Sequence, residues 1–153
     1  MPNDIPQDQR YRPADRIMQG VIPYLCLAGK SGAAADFYIK AFDARDLGRM
    51  PLPDKPGQFM HLQVEINHGA LMLTDHTDMS SVGQGDDPLP RGHLQLVVPD
   101  GKAWWDRAVA AGCTIVAPFE RQFWGDEWGL LRDPFGINWA VLTPDPALWD
   151  KAV

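Results

Sequence analysis

One order of elements occurs twice in this chain, and this repeat constrains the fold more than any other feature. The apolar run "VIPYLCLAG" is typical of a strand, residues Ser31 to Phe42 have helical spacing, and the strand-like runs "FMHLQVEI" and "ALMLTD" follow. From His93 the same order returns as "HLQLVV", a helix from about Lys102 to Ala111, and then "TIVAPF", "WGLLR" and "INWAVL". We therefore predict an α+β fold of two β-α-β-β-β modules.

The offset between the two copies and the signals that punctuate them set the predicted boundaries. Placing Pro23 over His93, at an offset of 70 residues, aligns the modules through their helices without a gap. Ser31 is the predicted N-cap of the first helix, Asp100 caps the second, and Gly112 ends it. The stretch "TDMSSVGQGDDPLP" is rich in turn residues, which is typical of a linker. The predicted organisation is an N-terminal arm 1–19, a first module 20–76, a linker 77–90, a second module 91–143 and a C-terminal tail 144–153.

Charge and composition restrict the partners. The net charge of −6 is accompanied by no basic block, which argues against nucleic acid and against anionic membrane surfaces. No apolar run approaches the roughly 18 to 20 residues of a membrane span, and the first ten residues lack the apolar stretch of a signal peptide. We therefore expect a cytoplasmic protein. Cys26 and Cys113 lie in apolar contexts and are interpreted as buried free thiols.

Alternation divides each strand into two rows of side chains. In "HLQVEI" the apolar row is Leu62, Val64 and Ile66, and it is predicted to cover the first helix. In "HLQLVV" the corresponding apolar row is Leu94, Leu96 and Val98. The remaining rows carry His61, Gln63 and Glu65 in the first module, and His93, Gln95 and Val97 in the second.

The turns "NHG" and "PFG" each suit a three-residue hairpin loop with glycine in the left-handed bulge position. This register puts Gln63 opposite Leu73, His61 opposite Asp75 and Trp128 opposite Leu142. Two interpretations of the resulting polar face stay open: a solvated sheet surface, or a ligand cleft formed by a strongly curved mixed or antiparallel sheet with a helix on each outer face. The face then carries His61, Gln63, Glu65, Leu71, Leu73, Asp75, His93, Gln95, Trp128, Arg132 and Asn138.

The tryptophans divide into two groups. Trp139 lies on an apolar strand row and Trp104 on the second helix, so both are predicted to be core residues. Trp124 and Trp128 stand between glycines and an acidic pair in "QFWGDEWG". There they either close the mouth of a pocket or cover an open end of the sheet.

Several motifs resemble a known superfamily. The double module, "AADFYIKAF" in the first helix and "WGLLRDPFGINWAV" near the end resemble the vicinal oxygen chelate superfamily of glyoxalases, bleomycin-resistance proteins and extradiol dioxygenases. The resemblance covers roughly residues 22–143. "QFWGDEWGLLRDPFGINWAV" and "ALMLTD" are most similar to a small bacterial branch that is named by analogy with a demethylubiquinone methyltransferase. The resemblance implies the paired-module fold and, by comparison with its relatives, a homodimer.

The resemblance also indicates which positions would hold a metal ion. Metal-dependent members place up to four ligands at positions that fall here on Pro23, Leu73, His93 and Ala140. His93 alone among these offers a side-chain ligand, whereas metal catalysis needs about three protein ligands and an open position. We therefore expect no metal and no other cofactor. The alternative is a displaced metal site built from His61, Glu65, Asp75 and His93.

Two functional hypotheses follow. The first is a metal-free binding protein of the bleomycin-resistance type that holds a small aromatic or cationic molecule. The alternative is a lyase, isomerase or transferase of the same fold, with or without a divalent metal, in which His93 acts as general base beside Glu65 or His61. A third interpretation is a domain whose role is set by its dimer partner or by its operon. The candidate ligand-binding residues are His61, Gln63, Glu65, Asp75, Gln95, Trp124, Trp128, Arg132 and Asn138.

Overall fold

The structure, a computed structural model, describes residues 22–75 and 93–149. The predicted arm and linker lie outside the described residues, as does the last part of the tail. In chain order, the first module contains β1 (Tyr24–Cys26), α1 (Ser31–Phe42), β2 (Arg45–Pro51), β3 (Phe59–Ile66) and β4 (Gly69–Thr74). The second unit contains β5 (Leu94–Val97), α2 (Gly101–Ala111), β6 (Thr114–Arg121), β7 (Glu127–Arg132), β8 (Asn138–Thr143) and the short α3 (Pro146–Trp149).

Each unit builds one mixed four-stranded sheet. The strand orders are β1-β4-β3-β2 and β5-β8-β7-β6. The first strand of each unit pairs in parallel with the last, and the other pairs are antiparallel. A parallel partner needs a long crossover, which the helix and the intervening strands provide. The predicted α+β fold of two β-α-β-β-β modules is confirmed, and the two helices begin 70 residues apart, at Ser31 and Gly101. Neither these helices nor the short α3 is long and apolar enough to cross a membrane.

The apolar row of β3 forms the sheet side of the first core. Leu62 and Val64 are fully buried and Ile66 nearly so, as predicted. α1 buries Ala34 and Tyr38 in the same unit. Burial of large aliphatic side chains contributes about 1.5 to 3 kcal/mol each, so this row is a main source of the unit's stability.

The tryptophan of α2 that lies in the core of the second unit is Trp105 and not Trp104, the predicted one. The buried positions of the helix are Gly101, Trp105 and Ala108, which follow the spacing of one helix face. Trp104 falls outside that face and is only half-buried, so its predicted core position is wrong. Trp139 on β8 is buried, as predicted.

Gly129 allows β7 to approach its neighbours closely. A Cβ atom at this position would lie 2.6 Å from Cζ3 of Trp105 and 2.7 Å from Cα of Phe119. The Trp105 and Phe119 rings themselves stack with centroids 5.6 Å apart. A side chain at residue 129 is therefore incompatible with this arrangement.

The strand β2, which lies between α1 and β3, was not predicted from the sequence. Its sequence "RDLGRMP" does not alternate, and Gly48 has a φ of 144° at an irregularity in the pairing with β3. β2 is an edge strand of its sheet, a position where glycine, proline and bulges are tolerated.

The predicted loop of the first hairpin is wrong. Ile66 pairs with Gly69, so the turn has two residues, and both Asn67 (φ 50°) and His68 (φ 66°) adopt the left-handed conformation of a type I′ turn. The register consequently differs by one residue from the prediction: Leu62 lies opposite Leu73, and Gln63 lies opposite Met72.

This shift moves several residues to the other face of the sheet. The predicted pairs Gln63 with Leu73 and His61 with Asp75 are both wrong. Leu71 and Leu73 belong to the buried row with Leu62, so they do not lie on the polar face.

The second hairpin confirms the predicted loop and register. Trp128 lies opposite Leu142 and Leu130 opposite Ala140. Gly136 has a φ of 87°, and its N–H donates to the carbonyl of Asp133 at 3.2 Å. This is the left-handed glycine that a three-residue loop requires.

The predicted N-cap of α1 is also wrong. Lys30 occupies the N-cap position and makes no side-chain cap, while the Ser31 hydroxyl is buried without a hydrogen-bond partner. The capping carboxylate comes from Asp75: Oδ1 accepts from the N–H of Gly29 at 2.8 Å and of Ser31 at 3.0 Å. Oδ2 accepts from the N–H of Phe59 at 2.9 Å.

The second helix begins and ends as predicted. Asp100 is its N-cap and accepts from the N–H of Ala103 at 3.2 Å. Gly112 is its C-cap, with its N–H donated to the carbonyls of Ala108 and Val109.

The three hydrogen bonds of Asp75 predict a large effect of its removal. Asp75 is only 2% exposed, so Asp75→Ala leaves three backbone donors without an acceptor and lowers the free energy of unfolding by about 3 to 5 kcal/mol. Asp75→Asn retains one carbonyl oxygen and has a smaller effect. Chemical denaturation measures both, with the exposed Asp54→Ala as control at about 0.5 kcal/mol or less. Equal stability of Asp75→Ala and Asp54→Ala would contradict this role.

Candidate functional site

A phenol and an imidazole form a pair on the polar face of the first sheet. Tyr24 Oη lies 2.8 Å from Nδ1 of His61, and the two rings meet edge to face with centroids 5.5 Å apart. Burial raises the pKa of the Tyr24 phenol, so at neutral pH the hydroxyl is protonated and can donate to the imidazole. His61 was predicted from the sequence as a site residue but its partner Tyr24 was not, because β1 and β3 are separated by β4 in the sheet.

Glu65 is engaged by Arg45 rather than by His61. Nε of Arg45 donates to Oε2 of Glu65 at 2.8 Å, and a second guanidinium nitrogen contacts the same oxygen. Nδ1 of His68 lies 3.8 Å from the other carboxylate oxygen. Because strand residues rise about 3.3 Å each, Glu65 lies about 13 Å along β3 from His61. Glu65 is thus held in a surface ion pair.

Gln63 and Asp75 are both buried, for different reasons. Gln63 lies on the polar row of β3 between Gly48 and Met72 and is 6% exposed. Asp75 follows β4, and its carboxylate accepts the three backbone hydrogen bonds described above. The geometry therefore gives Asp75 a structural function.

In the second unit a series of rings connects three of the predicted residues. The ring centroids of His93 and Trp128 are 6.1 Å apart, and those of Trp128 and Trp124 are 6.3 Å apart. Phe123, which was not among the predicted site residues, extends the series, with its ring centroid 5.0 Å from that of Trp124. Trp124 is 39% exposed, so the series is open to solvent at the β6–β7 turn.

The remaining predicted residues of the second unit share the face of Trp128. Nε of Arg132 donates to Oδ1 of Asn138 at 3.0 Å across the β7–β8 pair. Gln95 is exposed and lies opposite Ala140. Arg132 and Asn138 thus bind each other in this structure, while Gln95 presents its amide to solvent.

A cavity of about 520 Å³ in the second unit contains none of the predicted residues. It lies where β5 and β8 end and where β6 and β7 join, and its charged lining residues are Arg121, Glu127 and Asp145. The string "ERQFWGDEW" contains two of them, but only the pairing of Arg121 with Glu127 across the strands shows that they meet.

Two mixed sheets, each built by one β-α-β-β-β module, define a class of paired-module α+β proteins. The chain belongs to the glyoxalase/bleomycin resistance protein/dioxygenase superfamily, whose family model matches residues 24–141. The uncharacterized protein Rv0887c of Mycobacterium tuberculosis is 37% identical over 142 residues, which cover 90% of this chain and 82% of that protein.

Two solved structures are similar to this chain in fold. A PhnB protein from Bacillus cereus, named for 3-demethylubiquinone-9 3-methyltransferase, has a TM-score of 0.66 at 20% identity, over 82% of this chain and 100% of that chain. TioX from Micromonospora sp. ML1 has a TM-score of 0.61 at 23% identity, over 82% of this chain and 98% of that chain. At these identities the similarity shows the fold alone.

Hydrogen bonds at the ends of the first strands align the two modules. Leu27 donates its N–H to the carbonyl of Thr74 at 2.9 Å, and Val98 donates to the carbonyl of Leu142 at 3.0 Å. Leu27 therefore corresponds to Val98. The offset between these two residues is one residue longer than the offset between the first residues of α1 and α2. The connection from β1 to α1 is one residue longer than the connection from β5 to α2.

This alignment corrects the metal-ligand positions of the first module. Ile22 takes the place assigned to Pro23 and Met72 the place assigned to Leu73, while the positions of the second module stay as predicted. His93 is still the one strong metal ligand among the four. Within residues 22–75 and 93–149, no group of three or more His, Cys, Asp or Glu side chains could hold a metal. Among the described residues, these donors do not form the site of about three protein ligands that metal catalysis needs.

The two thiols differ in predicted reactivity. Cys113 is buried, and burial, with the charge of Asp133 as a further cause, raises the pKa of its thiol to about 12. Cys26 is half-buried on the polar face of β1. Since the thiolate is the reactive form, a disulfide reagent at about pH 8 modifies Cys26 and leaves Cys113 unmodified in the folded protein.

Mass spectrometry of the labelled protein checks this prediction. Cys26→Ser removes the fast reaction, and denaturant restores labelling of Cys113. Rapid modification of Cys113 in folded Cys26→Ser would contradict its burial.

Proposed function

We propose that this protein is a cytoplasmic homodimer that binds a small molecule without a metal, and that its ligand is planar and aromatic or cationic. The observation that carries the proposal is the ring series His93, Trp128 and Trp124, which extends from the polar face of the second sheet to the β6–β7 turn. Superfamily membership supports small-molecule binding, and the donor set supports a metal-free site.

The ring series has the chemistry to hold such a ligand. Tryptophan presents a large surface that can stack on a planar molecule, and its face attracts a cation. The net charge of −6 favours the approach of a cation over an anion. Gln95 lies on the same face of the sheet and supplies donors and an acceptor for polar edges of the ligand.

Catalysis by His93 has less support than binding. A general base needs a partner that orients its imidazole. Within the described part of the second unit, the contact that the structure gives His93 is a T-shaped contact with the Trp128 ring. Glu65 is paired with Arg45, and His61 with Tyr24. An aromatic contact fits a stacking residue better than a proton acceptor.

The proposal predicts preference for a planar cation, which fluorescence titration can measure. Ethidium, as probe, binds the wild type and quenches tryptophan emission, and neutral phenanthridine binds about tenfold more weakly because it lacks the cation–π contribution. Trp128→Leu weakens ethidium binding about tenfold or more, whereas Trp128→Phe has a smaller effect. Trp104→Leu, on α2, is the matched control and leaves affinity unchanged. Equal affinity of wild type and Trp128→Leu would refute the ring series as the site.

Elemental analysis of freshly purified protein tests the metal-free part separately. The expected result is a metal content far below one per chain, with no change in His93→Ala. Near-stoichiometric metal that disappears in His93→Ala would refute metal-free binding and favour the enzyme hypothesis.

A further inference from the structure

The 520 Å³ cavity of the second unit shares no lining residue with the ring series. Its volume lies in the range of sites that bind small molecules. Val97, Val98 and three prolines form apolar walls, and proline has no N–H to offer a ligand. Thr143 also lines the cavity, but its hydroxyl accepts the N–H of Gly101 at 2.7 Å at the start of α2. Charged side chains must therefore make the strong polar contacts.

Arg121 and Glu127 supply opposite charges at one side of the cavity. They are the last cross-strand pair of β6 and β7, and both line the cavity. The ion pairs found within the described residues involve other side chains, and so do the side-chain hydrogen bonds. Among the described residues, neither side-chain group has an ion-pair or hydrogen-bond partner, so both are open to a ligand.

Asp145 adds a second carboxylate. Its Oδ1 accepts the N–H of Ala147 at 3.0 Å, which leaves Oδ2 for another partner. The lining thus combines one guanidinium with two carboxylates on an apolar background.

We propose that this cavity binds a zwitterion of amino-acid to dipeptide size. The ligand's carboxylate pairs with Arg121, its ammonium group lies between Glu127 and Asp145, and its apolar side chain packs on Val97 and the prolines. A guanidinium binds a carboxylate through two parallel hydrogen bonds, which makes Arg121 the anchor. This site does not depend on the proposed function.

A zwitterion fits this set of charges better than a simple ion. An anion would pair with Arg121 but would bring a third negative charge beside Glu127 and Asp145. A cation would pair with the carboxylates but would add a second positive charge beside the guanidinium of Arg121 and leave that group without a partner. A molecule with both groups satisfies each charge.

Isothermal titration calorimetry with leucyl-leucine tests the proposal. The wild type binds this dipeptide with a Kd of about 1 mM or tighter. N-acetyl-leucyl-leucine lacks the ammonium group and leucyl-leucinamide lacks the carboxylate, so each binds at least about tenfold more weakly. Failure of the wild type to bind leucyl-leucine, or equal binding of all three compounds, overturns the proposal.

Charge-neutral variants assign the two groups. Arg121→Gln binds leucyl-leucine and leucyl-leucinamide equally weakly, because the carboxylate of the dipeptide has lost its partner. Arg121→Lys retains part of the preference for leucyl-leucine over leucyl-leucinamide. Glu127→Gln reduces the discrimination against the acetylated dipeptide. Arg107→Gln on α2 is the matched control and behaves as wild type. Unchanged binding of leucyl-leucine by Arg121→Gln overturns the assignment of Arg121 as the partner of the carboxylate. Unchanged binding of ethidium by the same variant shows that this cavity and the ring series are separate sites.

Discussion

The buried carboxylate of Asp75 connects three segments of the first module through hydrogen bonds to their backbones. Its oxygens accept from Gly29 in the connection after β1, from Ser31 at the start of α1 and from Phe59 at the start of β3. A negative charge at a helix N-terminus is favoured by the helix dipole, and the free N–H groups there need acceptors. The position of α1 relative to its sheet therefore depends on a residue that comes 44 positions later than Ser31.

The second module has a buried aspartate with a comparable function at its last hairpin. Oδ1 of Asp133 accepts from the N–H groups of Phe135 and Ile137, each at 2.9 Å, and Oδ2 accepts from Nε1 of Trp139 at 2.9 Å. This carboxylate closes the three-residue loop and satisfies the indole that the core buries. The two carboxylates act over different distances: Asp75 joins segments that are distant in the sequence, whereas Asp133 accepts hydrogen bonds from within six residues and stabilises a loop that the local sequence already predicts.

Local sequence signals predicted much of this fold. Contacts between residues that are distant in the sequence explain where the structure differs from the prediction. Apolar spacing predicted the bounds of α1, and the left-handed glycine in "PFG" predicted the loop before β8, because these signals lie within the elements themselves. The turn "NHG" is compatible with two registers, since a type I′ turn favours glycine at its second position and here has His68. The sequence could not choose between them, and the one-residue difference decided which leucines face the core.

The candidate site was predicted in part for the same reason. Alternation placed His93 and Trp128 on one face, where their rings lie 6.1 Å apart, but this contact also depends on the pairing of β5 with β8, which no local pattern reports. The partner of His61 depends on strand order, because β1 joins the sheet beside β4, and no local pattern reports that order. Arg121 and Glu127 were missed because their meeting depends on the length of the turn between β6 and β7.

Comparison of the two modules separates the constraints of packing from those of chemistry. The rows that face the core are apolar in both, with Leu62 and Val64 in one and Leu131 and Val141 in the other. The opposite rows differ: the first has a phenol–imidazole pair, and the second has the ring series that includes Trp128. A core must be filled in every copy of a module, whereas a ligand-binding face has to match only its ligand. The divergence of the polar rows on a common framework is therefore what we expect if each sheet face has its own binding chemistry.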